Sequence, residues 1–182
     1  MSRDSYHVAV IGAGASGTLV AAQINRLAPP YAKLAIIGSQ SQPARGVAYE
    51  TAFQTNLLNV PAGNMSAFPG DMDHFVNWLK TSLPGSDAGT FVPRRIYGDY
   101  LSAIFEDSIN NSPRMDYFNA SVRTLTRKDD KWIIYFDNGT SLESTSIVLA
   151  LGNLLLPGSP IDFNTAGSAY YLNPWSSEIN KD

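Results

Sequence analysis

Three glycines near the N-terminus have the type and spacing to do chemistry. They lie in Gly12-Ala13-Gly14-Ala15-Ser16-Gly17, after the apolar run His7–Ile11 and at the start of a segment with helical period. In that context Gly12 permits a tight turn, Gly14 lets backbone approach a pyrophosphate, and Gly17 lets helix and strand pack closely. The helix N-terminus adds free N–H groups and partial positive charge for an anion. A turn built from small residues for packing alone has the same spacing, but the flanking strand–helix–strand pattern favours dinucleotide binding. Gly14→Val is then expected to abolish that binding and leave the fold largely intact, because the new side chain takes the pyrophosphate's place.

The ribose contact departs from pattern. An acidic residue should close the second strand about twenty residues past the glycines and accept the ribose hydroxyls. Gly38 stands there, followed by Ser39 and Gln40, and no Asp or Glu comes before Glu50. Ser39 or a backbone carbonyl is left to make the contact. Loss of the acid also removes repulsion against a 2′-phosphate; equally, it is what a decayed site would show.

No nucleophile–base–orienter set stands elsewhere. Acidic residues are scattered singly and no Gly-x-Ser-x-Gly elbow occurs. Cysteine is absent, which excludes disulfide scaffolds, thiolate zinc sites and Cys-x-x-Cys redox pairs. His7 and His74 are too far apart in sequence to suggest a histidine metal site. Any chemistry is therefore carried by a cofactor, with the protein supplying position and electrostatics. Arg94-Arg95 could attract a phosphate, but pairing with Asp99 or Glu106 is the better reading. Trp78 and Trp132 read as core or interface residues and His74 as a surface residue.

The elements that must hold the glycine turn follow from periodicity. His7–Ile11 and Lys33–Ile37 are short apolar strands, and Val20, Ile24 and Leu27 between them share one helix face that Pro29 and Pro30 end. The three make a right-handed, parallel βαβ unit. Residues 39–70 form a long loop rich in Gly, Pro, Asn and Ser. Asp71 can cap a helix whose Met72, Phe75, Val76 and Leu79 share a face, and Tyr97–Ile109 is a further amphipathic helix. Ser121–Thr126, Trp132–Phe136 and, after the Asn138-Gly139 turn, Thr140–Glu143 predict a three-stranded meander. Ser146–Leu151, ending at Gly152, predicts a separate buried parallel strand.

A net charge of −3 gives no basic footprint for nucleic acid or anionic membrane. Val8–Ile24 is apolar enough to imitate a signal peptide or membrane span, but three glycines with Ser16, Thr18 and Gln23 interrupt it. The expectation is a soluble, cytoplasmic protein.

The motifs together resemble a known family. Val148-Leu149-Ala150-Leu151-Gly152-Asn153 is similar to the second, Ala-Thr-Gly-like motif of the FAD-binding domain in two-dinucleotide-domain flavoproteins, with Leu151 where Thr is usual. Arg45-Gly46-Val47-Ala48-Tyr49, residues 56–68 (NLLNVPAGNMSAF), residues 92–101 (VPRRIYGDYL) and Pro174-Trp175 resemble a bacterial FAD/NAD(P)-binding family of largely uncharacterised proteins. That resemblance implies an α/β fold: a Rossmann-type three-layer domain with a central parallel sheet, a helical layer and a β-meander insertion. It implies FAD as cofactor, its pyrophosphate on residues 12–17, its ribose near Gly38 and Ser39, and its adenine near the Val122 backbone. Leu151 and Gly152 would approach the pyrophosphate, and Arg45, Asn59 and Met65 would fall toward the flavin half.

The same resemblance implies a domain over residues 1–156, meander at about 120–145, and an irregular tail over 157–182 leading toward a second domain for NAD(P)H. That second domain and a returning segment are expected to lie outside this sequence, and apolar Leu154–Leu156 is expected to meet a partner or a second copy. Two functional readings follow. One is the FAD-binding domain of a flavoprotein oxidoreductase, monooxygenase-like when complete. The other is a degenerate, non-catalytic nucleotide-binding module or one subunit of a split enzyme.

Overall fold

The parallel βαβ unit expected at the N-terminus is present, and it lies at the centre of a larger sheet. A computed structural model describes residues 5–50 and 55–152. Strands β1 (Ser5–Ile11), β2 (Leu34–Gly38), β3 (Met115–Asn119), β4 (Val122–Lys128), β5 (Lys131–Phe136) and β6 (Ser141–Leu149) form one sheet in the order β3-β2-β1-β6-β5-β4. β3, β2, β1 and β6 run parallel, and β6, β5 and β4 form an antiparallel meander. Alternation sends Val8, Val10, Leu34 and Ile36 to one face, and Ala9, Ile11, Ala35 and Ile37 to the other.

The first face carries the helices. Helix α1 (Ala15–Leu27) buries Gly17, Thr18, Ala21 and Ala22, so small residues let it lie close to the strands. Helices α3 (His74–Ser82) and α4 (Arg94–Asn110) bring Phe75, Leu79, Tyr100 and Leu101 into the same core. Helix α2 is a single turn, Gly46–Tyr49. Arg114, just before β3, donates to the carbonyls of Asn25, Ala28 and Pro29, satisfying orphan carbonyls at the end of α1. The second face packs against Ile134, Phe136 and Leu142 of the meander. Helices, sheet and meander thus make the three layers.

Several local expectations are corrected. The last meander strand and the last parallel strand are one nine-residue strand, β6, which pairs with β5 from Ser141 to Ser144 and with β1 from Glu143 to Leu149. The polar interval at Ser144–Ser146 does not break it, because the buried Ser144 hydroxyl donates to the Ser146 carbonyl within the strand (2.7 Å). β3 was not expected at all; it is a five-residue strand at the sheet edge with a mixed sequence, held by backbone pairing to β2. Leu27 is 82% exposed at the end of α1, and Met72, 59% exposed, precedes α3 instead of joining its buried face. Asp71 does not cap α3: the N-cap is Asp73, which makes no side-chain cap bond, while the Asp71 carbonyl accepts from the His74 N–H in the turn before the helix. α4 begins at Arg94, so the arginine pair lies in its first turn and not before the helix.

His74 is not a surface residue either. Its ring packs edge-on to Phe68 (4.6 Å between centroids), and its Nδ1 lies 2.6 Å from the Tyr100 hydroxyl. Burial pushes that phenol up to about 12, so Tyr100 keeps its proton, and its oxygen accepts from the Ala67 N–H. The residues 153–182, including Leu154–Leu156 and Pro174-Trp175, lie outside the described residues. Among the described residues no helix is long and apolar enough to cross a membrane.

Candidate functional site

The carboxyl ends of β1, β2 and β6 converge on the glycine turn. β1 continues through α1 to β2 on one side while β6 flanks it on the other, so the turn lies at the topological switch point where open α/β sheets bind ligands. Gly12 has φ +109°, and a Cβ there would fall 2.1 Å from the Ala150 carbonyl oxygen. A Cβ on Gly17 would fall 1.7 Å from the Gly12 carbonyl oxygen. Both glycines are therefore demanded by packing. Gly14 differs: its φ of −79° suits any residue, and its Cβ would meet nothing closer than Gly46 Cα at 3.6 Å.

Gly14 is the N-cap of α1, with no side-chain cap and no acidic residue in the first turn. The N–H groups of Ala15, Ser16 and Gly17 have no helical partner, and the macrodipole favours negative charge beside them. Gly46, with φ +60°, faces Gly14 across this helix end, and its own Cβ would lie 3.4 Å from the Ala15 nitrogen. Gly14 and Gly46 thus approach each other closely at this helix end, with room between them for little more than one methyl, and neither sets a side chain over the free backbone donors.

The second-strand end is built differently from its usual form. Gly38 is buried, and its carbonyl already accepts from the Tyr117 hydroxyl (3.0 Å) and the Ala120 N–H (3.2 Å). Burial raises the Tyr117 phenol, which keeps it a donor. Ser39 is exposed. A Cβ on Gly38 would fall 2.3 Å from Gln40 Oε1 and 2.6 Å from Ala13 Cβ, so the place of the missing acidic side chain is filled by the Gln40 amide. Gln40 Oε1 is buried without a hydrogen-bond partner, as is the Thr18 hydroxyl on α1. After β3 the chain crosses over this strand end through Ala120, whose N–H bonds Gly38, to reach Val122 at the head of β4. Leu151 and Gly152 follow Ala150, which is bonded to Ile11, and Gly152 adopts φ +67°.

The remaining candidates are tied into the scaffold. The Ala44 N–H donates to the Ala13 carbonyl (2.7 Å), which pins the 39–45 loop to the glycine turn. Arg45 pairs with Asp99 on α4 at 2.5 Å, and Asp99 also meets Arg95 at 3.5 Å. Gly98 lets α2 approach α4, since a Cβ there would fall 2.5 Å from the Tyr49 carbonyl. Asn59 accepts from Arg94, which also donates to the Leu57 carbonyl. Met65 packs against the helical core. Sequence reading singled out Gly46 only within a motif and gave Gln40 and Gly98 no role; the glycine at 38 was the one local signal that something else must fill that space.

The pair with Asp99 ties Arg45, and with it the start of α2 at Gly46, to α4. Arg45→Met and Asp99→Asn are both expected to lower stability by about 1–2 kcal/mol and to weaken dinucleotide binding together. Titrating each variant with FAD separates this from direct contact. An arginine that touched an anionic ligand would make Arg45→Met weaken binding while Asp99→Asn left it unchanged or improved it.

Comparison with known proteins bears on the same surface. A family model described as FAD-NAD(P)-binding matches residues 9–154, which include the glycine turn, the Arg45–Tyr49 segment and β6. The chain belongs to this family. No functionally curated protein matches it. As a fold, this FAD-NAD(P)-binding domain is similar to a flavin-containing monooxygenase from Stenotrophomonas maltophilia, at 18% identity and TM-score 0.57, covering 81% of this chain and 38% of that one. It is also similar to steroid monooxygenase bound to NADP, at 21% identity and TM-score 0.60, covering 86% and 28%. OTEMO in complex with FAD and NADP matches at 17% identity and TM-score 0.59, covering 87% and 27%. The chain therefore spans between about a quarter and two fifths of these structures' lengths.

The residues at the turn fit a dinucleotide. An uncapped helix end with no side chain over it and an unpaired polar atom beside it suit a pyrophosphate and an adjoining ribose.

Proposed function

We propose that this domain holds FAD across the ends of β1, β2 and β6 and forms the flavin-binding part of an NAD(P)H-dependent oxidoreductase of monooxygenase type. The observation that carries the reading is the glycine turn at the uncapped N-terminus of α1, where neither Gly14 nor Gly46 sets a side chain over the free N–H groups. Ala15, Ser16 and Gly17 donate backbone N–H bonds to the pyrophosphate, and Gly12 with Ala150 fixes the turn that aims them. The backbone running from Ala120 to Val122 borders the adenosine end, and Leu151-Gly152 borders the opposite side of the pyrophosphate. FAD, when bound, supplies the redox chemistry by accepting hydride from NAD(P)H and passing electrons to an acceptor. The protein's part is to bind and orient.

The test is a visible absorption spectrum of the purified chain before and after incubation with FAD and removal of the excess. A retained flavin band is the expected result. A chain that melts cooperatively and stays colourless would overturn the assignment of FAD to this slot and favour a nucleotide-binding module without flavin chemistry.

A further inference from the structure

We infer that Gln40 is the residue that reads the adenosine ribose in this site, its amide oxygen accepting a ribose hydroxyl where a carboxylate usually stands. The inference rests on the dinucleotide reading above and names the residue, and the kind of bond, that this reading lacks.

Three observations meet at one amide. Gln40 lies two residues beyond the end of β2, and its side chain folds back so that Oε1 lies 2.3 Å from where a Gly38 Cβ would stand. The glycine at 38 is thus the condition for the glutamine at 40. A side chain at 38 would also meet Ala13 Cβ at 2.6 Å, so no acid could occupy the usual position in this backbone. The Gly38 carbonyl already accepts two hydrogen bonds, whereas Gln40 Oε1, at the same strand end, is buried without one.

The polarity of the amide agrees with the order of groups along a dinucleotide. Nε2 is the end toward Gly14, 4.0 Å from that residue's absent Cβ, on the side of the pyrophosphate. A phosphate oxygen has no proton to give and needs a donor, which the amide nitrogen is. Oε1 is the end toward Gly38, buried and unpaired. An unsatisfied buried acceptor is unfavourable until a donor reaches it, and among the groups of an adenine dinucleotide near this point the ribose hydroxyls are the donors. The amide is also neutral, so the site recognises the hydroxyl without the buried negative charge that a carboxylate would bring.

The experiment compares ADP with 2′-deoxy-ADP by calorimetric titration of the wild-type chain, Gln40→Met and Gln40→Glu, with FAD binding measured in parallel. Wild type is expected to prefer ADP about tenfold, the size of one well-made hydrogen bond to a buried acceptor. Gln40→Met, similar in length and without an acceptor, is expected to bind both nucleotides alike, and Gln40→Glu to restore the preference. The inference is overturned if wild type does not distinguish the two nucleotides, if Gln40→Met keeps the preference, or if it loses both ligands equally. The wild-type comparison decides even if Gln40→Met fails to fold. A wild-type chain that binds neither ADP nor FAD would overturn the dinucleotide reading itself, whereas FAD binding without ribose discrimination would overturn Gln40 alone.

Discussion

Gly14→Ala is expected to weaken FAD binding by about a hundredfold or more, roughly 2.7 kcal/mol, while moving stability by less than about 1 kcal/mol. The added methyl meets Gly46 Cα at 3.6 Å, an ordinary contact, and the backbone at φ −79° accepts it without strain. The methyl is expected to stand where a pyrophosphate must come close to the turn, and so to keep it from the free N–H groups of the helix start. Valine at this position, the change that sequence alone suggests, is a poorer test. Its extra methyls would press on the backbone of Gly46 and disturb α2 as well as the ligand. Flavin fluorescence titration and a urea melt on the same preparation decide the matter. Unchanged affinity in a folded Gly14→Ala chain would remove the pyrophosphate from this turn.

Gly17→Ala is expected to have the opposite profile and to cost about 3–5 kcal/mol of folding stability, a large part of what a domain of this kind possesses. Its Cβ would stand 1.7 Å from the Gly12 carbonyl oxygen and 2.9 Å from the carbonyl carbon. Those atoms are backbone within the turn, itself wedged against Ala150, so no side-chain rotation relieves the overlap. Helix α1 would have to lift from β1 and expose the apolar surface around Ala21 and Ala22. The measurement is the urea midpoint with and without FAD. A midpoint like that of wild type would show that α1 does not approach β1 as described. The contrast between the two glycines, three residues apart, is the sharper result: one governs the ligand and the other governs the fold.

The degree to which sequence revealed this site varied by element. β1, α1 and β2 were legible because the strands are short apolar runs, the helix repeats at about 3.6, and the glycines punctuate them at the right places. β3 was not, because residues 115–119 alternate too weakly and the strand exists through its backbone pairing with β2. β6 was read as two strands because Ser144 looked like an interruption; a hydrogen bond to the Ser146 carbonyl makes that serine compatible with full burial. His74 looked solvent-facing from its neighbours in α3, and its real partner, Tyr100, comes from α4, twenty-six residues away. The bonds of Arg45 to Asp99 and of Asn59 to Arg94 were not legible either, because both partners are on α4, 35 or more residues away in the chain.

What the sequence by itself determined is the class of ligand and the unit that holds it. G-x-G-x-x-G between a strand and a helix is a local signal, since turn, helix start and strand end are contiguous in the chain. Tertiary structure alone decided what each glycine is for. Gly12 and Gly17 are required by Ala150 and by each other, Gly14 is left open by Gly46, and Gly38 makes room for Gln40. Those pairings join residues up to 138 positions apart, and they depend on how closely backbones approach in space, a quantity that no period or composition encodes.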